Sequence, residues 1–159
     1  MRVGIGYDVY RLAPGHNLML GGVKIPFNHG LIGWSDADVL THAVIDAVLG
    51  AAALGDIGTY FPPGDPQLKG ISSLVLLGQV RDLLAEKGFI VNNIDATIVA
   101  EQPPLKGYTP KMCHNLCQAL GIDPGRVSVK ASTSEGLGFA GREEGMAAWA
   151  VASITETDE

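Results

Sequence analysis

Hydrophobic and polar positions follow two different periods along the chain, and these periods predict its secondary structure. Short alternating or apolar runs, which are typical of β-strands, cover residues 3–9, 18–20, 23–25, 89–101, 126–132 and 146–154. Apolar residues at helical spacing cover residues 39–53, 72–87 and 109–120, and a glycine typical of a helix end follows each segment. We therefore expect a single domain over residues 1–159 with an α+β fold, in which a mixed β-sheet carries three helices on one face.

Local signals refine the boundaries of these elements. Ser35 is the candidate N-cap of the first helix, and it would place Asp36 and Asp38 in the first turn, where the helix dipole favours negative charge. Gly21-Gly22 lies between two short strands and is typical of a hairpin turn. Asn92-Asn93 interrupts a long apolar strand and indicates a bulge or a turn there.

The composition fits a compact domain and limits the classes of partner. With 159 residues and 47% hydrophobic content, the chain is large enough to bury a core. Its formal net charge of −6 argues against nucleic acid as a partner, because phosphate backbones require a basic face. A small phosphorylated ligand remains open, since metal ions and backbone N–H groups can supply positive charge locally. No run of about 18 apolar residues occurs and the strand pattern begins at once, so we expect no membrane segment, no leader and a cytoplasmic location.

The two cysteines, Cys113 and Cys117, lie four residues apart in the predicted third helix. Zinc binding by Cys113, His114 and Cys117 is one interpretation. Reduced cysteines that are partly buried on one helix face are the interpretation that we favour. We expect no disulfide framework, because two cysteines contribute little in a domain of this size.

Asp8, Tyr10 and His42 are the first candidates for a functional site. Alternate residues of a strand share a face, so the side chains of Asp8 and Tyr10 point the same way. His42 has Asp38 and Asp46 one helical turn away on either side, a pattern that fits a metal ligand oriented by carboxylates. A surface histidine beside solvated carboxylates is the commoner meaning of such a stripe, and the pattern alone favours it.

Two loops carry further candidate chemistry. The turn Gly55-Asp56-Ile57-Gly58 can offer a carboxylate to hydroxyl groups and free backbone N–H groups to a close ligand. The stretch KASTSEGLGFAGREEG, residues 130–145, combines hydroxyl groups and glycines with the carboxylate of Glu135, which suits a phosphate or a metal-bridged diphosphate. Arg142 could bind a phosphate through two parallel N–H hydrogen bonds. A polar turn without a chemical role fits each stretch equally well.

Taken together, the segments resemble one family along essentially the whole chain. They are GxGxD near the start, then SDADVLTHAVIDAVLGAAALGDIG, FPPGDP and KASTSEGLGFAGREEG, in that order. The chain resembles the 2-C-methyl-D-erythritol 2,4-cyclodiphosphate synthases of the non-mevalonate pathway of isoprene biosynthesis. The middle helix and the last motif are the specific parts of this resemblance.

The resemblance implies a lyase-type enzyme that works as a homotrimer, with active sites between neighbouring subunits. Its substrate would be 4-diphosphocytidyl-2-C-methyl-D-erythritol 2-phosphate. The 2-phosphate would attack the β-phosphorus in line, CMP would leave, and a cyclic diphosphate would form. No protein nucleophile is required, so the protein would position the groups and neutralise their charge.

The resemblance also implies roles for residues of this chain. Asp8 and His42 would hold Zn²⁺ or another divalent cation, with Tyr10 at the third ligand position. Glu135 would hold a second divalent ion, Mg²⁺ or Mn²⁺, at the diphosphate, and Thr133, Trp34 and Glu135 would be the catalytic positions. The substrate would be bound by Asp8, Tyr10, Trp34, Ser35, Asp56, Ile57 and Gly58, and its methylerythritol end would be covered by Phe61, Pro62, Pro63, Gly64 and Asp65. The cytosine would be surrounded by Ala100, Glu101, Gln102, Pro103, Pro104, Leu105 and Lys106. The phosphates would be bound by Ser132, Thr133, Ser134 and Glu135, and the region near the trimer axis would be lined by Phe139 and Arg142.

Two positions depart from the family pattern. Tyr10 stands where a histidine usually ligates zinc, and a phenol with a pKa near ~10 must lose its proton before it can replace that ligand. We therefore expect two firm zinc ligands and weaker zinc binding. Trp34 stands where a histidine often precedes the Ser-Asp pair, and it carries no positive charge. The departures motivate an alternative function, a weakened or inactive homologue that binds CMP or isoprenoid diphosphates.

Overall fold

The structure is a computed structural model and describes residues 1–158. None of the helices within these residues is long and apolar enough to cross a membrane. A 3-10 turn covers Pro66–Leu68. The strands and helices are β1 (Arg2–Pro14), β2 (Leu18–Leu20), β3 (Val23–Ile25), β4 (His29–Leu31), α1 (Val39–Ala51), α2 (Ile57–Tyr60), α3 (Ser73–Glu86), β5 (Phe89–Val99), α4 (Thr109–Leu120), β6 (Val127–Ser132), α5 (Gly138–Gly141) and β7 (Gly145–Glu156).

Five strands form one mixed sheet in the order β4-β1-β7-β5-β6. β5 and β6 run parallel, whereas the other neighbouring pairs are antiparallel. β2 and β3 form the separate hairpin that Gly21-Gly22 predicts. The register of β5 against β7 shifts between Val91 and Asn93, which confirms the predicted bulge. Helices α1, α3 and α4 pack side by side and against this sheet, so the predicted α+β fold is confirmed.

Glycines allow α1 to lie directly on the sheet. A Cβ atom at Gly4 or Gly6 of β1 would overlap the α1 backbone at Ala47 or Ala43. α1 is therefore buried along almost its whole length, between the sheet and α3. Because alternate strand residues share a face, this close approach also brings the next positions of β1, Asp8 and Tyr10, beneath the same helix.

The predicted cap and end of α1 are both wrong. The N-cap is Asp38, whose Oδ1 accepts the N–H of Thr41 at 3.0 Å, and Ser35 lies outside the helix. Asp38 replaces Ser35 in this role because its carboxylate also accepts the N–H groups of Gly21 and Gly22 in the hairpin turn. The helix ends at Ala51 and does not continue to Ala53, because Ala53 adopts a φ of 57° and turns the chain.

Among the other elements, strand β1 differs from the prediction more than the two long helices α3 and α4 do. β1 extends to Pro14, since its far end pairs with β4, a three-residue strand that the pattern did not predict. The glycine-rich stretch before β7 contains the short helix α5. α3 and α4 lie within a residue of their predicted bounds, and Gly121 ends α4 with a φ of 66°.

The face of the sheet opposite the helices carries exposed apolar side chains. Val3 and Ile5 of β1 are both 65% exposed, and Trp149 and Val151 of β7 are about half exposed. Tyr7 stacks against Trp149 with ring centroids 4.5 Å apart. This strip, Val3, Ile5, Tyr7, Val9, Trp149 and Val151, is called the open sheet face below.

Candidate active site

Asp8, Tyr10 and His42 converge where β1 passes beneath α1. Nδ1 of His42 lies 3.1 Å from Oδ2 of Asp8 and 2.9 Å from the hydroxyl of Tyr10. His42 is only 4% exposed. The interpretation of His42 as a solvated surface histidine is therefore wrong. Because Gly4 and Gly6 carry no side chain, the face of α1 that carries His42 lies directly on β1.

Different residues from those predicted contact the other nitrogen of the His42 ring. Nε2 lies 2.7 Å from Oγ of Ser73 and 3.1 Å from Oγ of Ser35. Ser73 in turn donates its hydroxyl proton to Oδ1 of Asp36 at 2.5 Å. Ser73 begins α3, which is far from His42 in sequence, so no local pattern could reveal this contact.

The alternative interpretation, in which Asp38 and Asp46 orient His42, is wrong as well. The carboxylate of Asp38 caps α1 and binds the hairpin turn. The carboxylate of Asp46 accepts the backbone N–H of Ile57 at 2.7 Å and so fixes the start of α2. Both carboxylates are recruited by backbone N–H groups, which must find acceptors when they are buried. Burial also raises the pKa of Asp38 and that of Asp46.

The electrostatics around Tyr10 keep its phenol protonated. Burial raises the pKa of Tyr10 far above its ordinary value, and the negative charges of Asp8, Asp36 and Asp46 raise it further. At neutral pH Tyr10 therefore offers a neutral hydroxyl to its neighbours. Two firm zinc ligands at this site, Asp8 and His42, stay a prediction.

A pocket opens over Tyr10 and His42, and most of its lining belongs to the predicted site. Trp34 donates its indole N–H to the carbonyl of Asp65 at 2.9 Å, which ties the FPPGDP segment to the chain just before α1. The Lys69 ammonium lies 5.8 Å from the centre of the Trp34 ring. The lining residues are Tyr10, Trp34, Ser35, His42, Ile57, Gly58, Phe61, Pro63, Leu68 and Leu76.

Leu68 and Leu76 are lining residues that the sequence analysis missed. Both resemble ordinary core leucines in the sequence, and only the fold of the chain around α3 brings them to the pocket. Of the predicted residues at this end, Asp56 caps α2 by accepting the N–H and hydroxyl of Thr59. Pro62 and Gly64 are exposed on the segment between α2 and the 3-10 turn.

A second pocket lies at the end of β5 and β6. It forms there because the two strands are parallel and in register, with Val99 beside Ser132, so the residues that follow each strand meet at one edge. Ala131 is the lining residue that the sequence analysis missed. The lining is Ala100, Glu101, Pro103, Pro104, Leu105, Lys106, Ala131, Ser132 and Thr133.

Glu101 organises the hydroxyl-rich loop beside this second pocket. Its Oε1 accepts the N–H of Ser134 at 2.7 Å and that of Gly136 at 3.4 Å. Glu135 lies between them with a φ of 53°, and its backbone N–H donates to Oγ1 of Thr133 at 3.3 Å. The loop thus presents the carboxylate of Glu135, which is exposed, on a backbone that Glu101 holds in place.

Of the predicted residues that line neither pocket, Gln102, Phe139 and Arg142 have other surroundings. Gln102 faces a separate cleft with Phe27, His29 and Glu143. Phe139 lines a third cleft, which also includes Tyr10 and Glu144. The Arg142 guanidinium pairs with Glu144 at 3.1 Å, so its charge is already partly neutralised.

The cysteine-containing helix does not form a metal site. Cys113 and Cys117 are free, Cys117 is buried, and His114 is exposed on another side of α4. Within residues 1–158, no group of three His, Cys, Asp or Glu side chains is placed to hold a metal ion. Beside Asp8 and His42 the neighbouring side chain is that of Tyr10, which is not one of these four residue types.

Comparisons with known proteins agree along the chain. The sequence profile of the YgbB family matches residues 1–155. The chain is 70% identical over 156 residues to the 2-C-methyl-D-erythritol 2,4-cyclodiphosphate synthase of Dehalococcoides mccartyi, and the alignment covers 98% of this chain and 99% of that protein.

Solved structures give the same result. The structure of the bifunctional IspDF from Campylobacter jejuni aligns with a TM-score of 0.95 at 42% identity, over 99% of this chain and 42% of that chain. This chain therefore spans less than half of that bifunctional protein. A Plasmodium falciparum IspF structure, described as a CDP complex, aligns with a TM-score of 0.86 at 31% identity, over 99% of this chain and 97% of that chain.

Proposed function

The chain belongs to the YgbB family, and on this premise we propose that it cyclises 4-diphosphocytidyl-2-C-methyl-D-erythritol 2-phosphate to 2-C-methyl-D-erythritol 2,4-cyclodiphosphate. A bond forms between a 2-phosphate oxygen and the β-phosphorus, the bond from that phosphorus to the CMP unit breaks, and CMP leaves. The observation that carries the proposal is the 70% identity, over nearly the full length of both chains, to a synthase of that name. The alternative of an inactive nucleotide-binding homologue is not favoured by this identity.

The reaction requires mainly positioning, because the attacking and leaving groups both belong to the substrate. The pocket over Tyr10 and His42 suits the methylerythritol end, since it combines apolar walls with the hydroxyl of Ser35. The second pocket suits the cytidine end, with the hydroxyls of Ser132 and Thr133 for a phosphate. Thr133 would act at the reacting phosphates through its hydroxyl. Trp34 would act there as a wall of the first pocket that helps to place the substrate.

Enzymes of this family are in general metal-dependent. Asp8 and His42 offer a carboxylate oxygen and an imidazole nitrogen, the ligand types that zinc accepts, and the two atoms converge at 3.1 Å. They would hold Zn²⁺, and the exposed carboxylate of Glu135 would hold Mg²⁺ or Mn²⁺. Such ions supply positive charge that offsets the repulsion between the two phosphate groups.

We extend the proposal to a homotrimer. The open sheet face supports it, because a contiguous apolar strip of this kind marks an interaction surface. The two pockets share no lining residue, which agrees with a site completed by a neighbouring copy. Within the proposal the small-molecule partner is the cytidine-diphosphate-linked substrate, and the cytoplasmic location stays a prediction.

The test is release of CMP from the substrate by purified protein supplied with Zn²⁺ and Mg²⁺ or Mn²⁺. We expect equal amounts of CMP and cyclic diphosphate, as measured by chromatography and phosphorus NMR. Asp8→Ala and His42→Ala should release none, whereas Lys111→Ala, on the exposed side of α4, is the matched control. Binding of CMP without release, in both the native protein and Tyr10→His, would instead establish the inactive homologue.

A further inference from the structure

We infer that Ser73 and Asp36 are positioning residues that hold the proton of the neutral His42 ring on Nε2 and direct the lone pair of Nδ1 toward Asp8. The inference concerns how the proposed metal site is prepared, and in that respect it rests on the proposed function. Neither residue stood out in the sequence, because Asp36 resembled a first-turn residue of α1 and Ser73 an ordinary helix start.

Two contacts, from Asp36 to Ser73 and from Ser73 to His42, decide where the ring proton lies. A carboxylate can only accept, so the 2.5 Å contact between Asp36 Oδ1 and Ser73 Oγ takes the single hydroxyl proton of Ser73. The 2.7 Å contact between Ser73 Oγ and His42 Nε2 then needs a proton from the ring. Nε2 therefore carries the hydrogen, and a neutral ring leaves Nδ1 as an acceptor.

The surroundings hold this arrangement in place. Ser73 is completely buried, and its backbone N–H also donates to Asp36, at 3.1 Å to Oδ2. The backbone N–H of Asp38 donates to Oδ1 of Asp36 at 3.2 Å. Asp36 is thus fixed between the starts of α1 and α3, and the buried hydroxyl of Ser73 lies between Asp36 and His42.

The consequence lies on the opposite side of the ring. Nδ1 and Asp8 Oδ2 are 3.1 Å apart, and with the proton on Nε2 both atoms present lone pairs. A cation that binds both atoms is favoured there, and in its absence the hydroxyl of Tyr10, at 2.9 Å, can donate to Nδ1. Ser73 and Asp36 would therefore strengthen metal binding without touching the metal, as partners of ligating histidines commonly do.

Ser35 supplies the competing arrangement. Its Oγ lies 3.1 Å from Nε2 and also accepts the N–H of Ala37 at 3.3 Å. If Ser35 donated its proton to Nε2, the ring proton would lie on Nδ1 and point at Asp8. The tautomer of His42 in the metal-free protein therefore decides between the two arrangements.

The first experiment is nitrogen NMR of the metal-free protein with labelled histidine rings. It is done at a pH high enough that the ring shifts no longer change with pH and the rings are neutral. His16, His29 and His114 are assigned by substitution, and the remaining signals belong to His42. We expect the shift pattern of a single tautomer with the proton on Nε2. A proton on Nδ1, or an even mixture of the two tautomers, overturns the inference.

The second experiment measures zinc affinity by competition with a coloured chelator. Ser73→Ala and Asp36→Ala should weaken binding roughly 10- to 100-fold and disturb the His42 ring shifts, whereas Ser73→Thr keeps the hydroxyl and should restore both. Ser72→Ala is the matched control, because the Ser72 side chain makes no capping hydrogen bond at the same helix start. Unchanged ring shifts in Ser73→Ala overturn the inference.

The two experiments separate this inference from the proposed function. If the native protein bound no zinc at Asp8 and His42, the metal part of the proposed function would fail, and the tautomer of the metal-free ring would still test the roles of Ser73 and Asp36. If CMP release failed but the tautomer was as expected, the positioning role would stand without the reaction. Thermal unfolding of each variant shows whether loss of affinity reflects loss of the fold.

Discussion

The hydroxyl of Tyr10 lies 2.9 Å from Nδ1 of His42, the same ring nitrogen that faces the carboxylate of Asp8. Since burial raises the pKa of Tyr10, the phenol keeps its proton and can only donate to or accept from the ring as a neutral group. Tyr10 stands at the position that the family resemblance assigns to a third zinc ligand, and its hydroxyl can donate to the lone pair of His42 Nδ1.

Restoring a histidine at this position should improve the metal site. We expect Tyr10→His to bind Zn²⁺ more tightly and to release CMP faster than the native protein, because a neutral imidazole is a zinc ligand at pH 7 whereas a protonated phenol is a poor one. Equilibrium dialysis with Zn²⁺ at neutral pH measures the affinity. Equal affinities would contradict the expectation, and loss of both binding and turnover would show that Tyr10 has a packing role.

Asp46 should give the protein a measurable pH dependence. Burial raises the pKa of Asp46 from 3.8, so the folded state keeps this proton to a higher pH than the unfolded state does. The contribution of Asp46 to stability is therefore full below pH 3.8 and is lost as the pH rises through the folded pKa. Asp46→Asn keeps an acceptor for the N–H of Ile57 and removes the titration.

The measurement is the difference in free energy of unfolding between Asp46→Asn and the native protein. It is taken from urea titrations at a series of pH values that starts below pH 3.8 and ends at neutral pH. We expect the difference to shift in favour of the variant as the pH rises. Asp82→Asn is the control, because Asp82 is exposed on α3 and pairs with the neighbouring Arg81. A difference that shifts in favour of the native protein would contradict the sign.

The contact between β1 and α1 should tolerate no side chain at Gly6. Gly6→Ala places a methyl group against the backbone carbonyl of Ala43, which cannot move aside without shifting the helix that carries His42. We expect a loss of roughly 1–3 kcal/mol of stability, as for overpacked cores, and weaker zinc binding. Gly78→Ala in α3 is the control; a Cβ there meets open space, and it should stabilise by about 0.5–1 kcal/mol. Similar melting temperatures for the two variants would contradict the close approach.

The open sheet face should be the subunit interface. Ile5→Glu places a charge on a side chain that is 65% exposed in the single chain, so the fold should persist while the proposed trimer dissociates. Sedimentation velocity measures the change of mass, and circular dichroism measures the fold. Val75→Glu is the control, since Val75 is half exposed on α3 in the helix layer. A trimer that persists in Ile5→Glu would place the interface elsewhere.

The sequence by itself determined the helices and strands whose signals are local. The pattern from Ser72 to Lys87 and the stretch Thr109–Leu120 followed by Gly121 matched α3 and α4, because apolar period and helix-ending residues act within one element. The same holds for the hairpin at Gly21-Gly22. The segments that resemble the synthase family were likewise readable, since each is a contiguous run.

Only the tertiary structure decided which polar groups meet. Asp38 became the cap of α1 because a distant hairpin turn supplies two further N–H groups, and Asp46 was recruited by the N–H of Ile57. Ser73 reached His42 because α3 packs beside α1. Buried hydrogen-bonding groups take whichever partner the packing brings within reach, and sequence spacing records only the partners that lie within a turn or a strand.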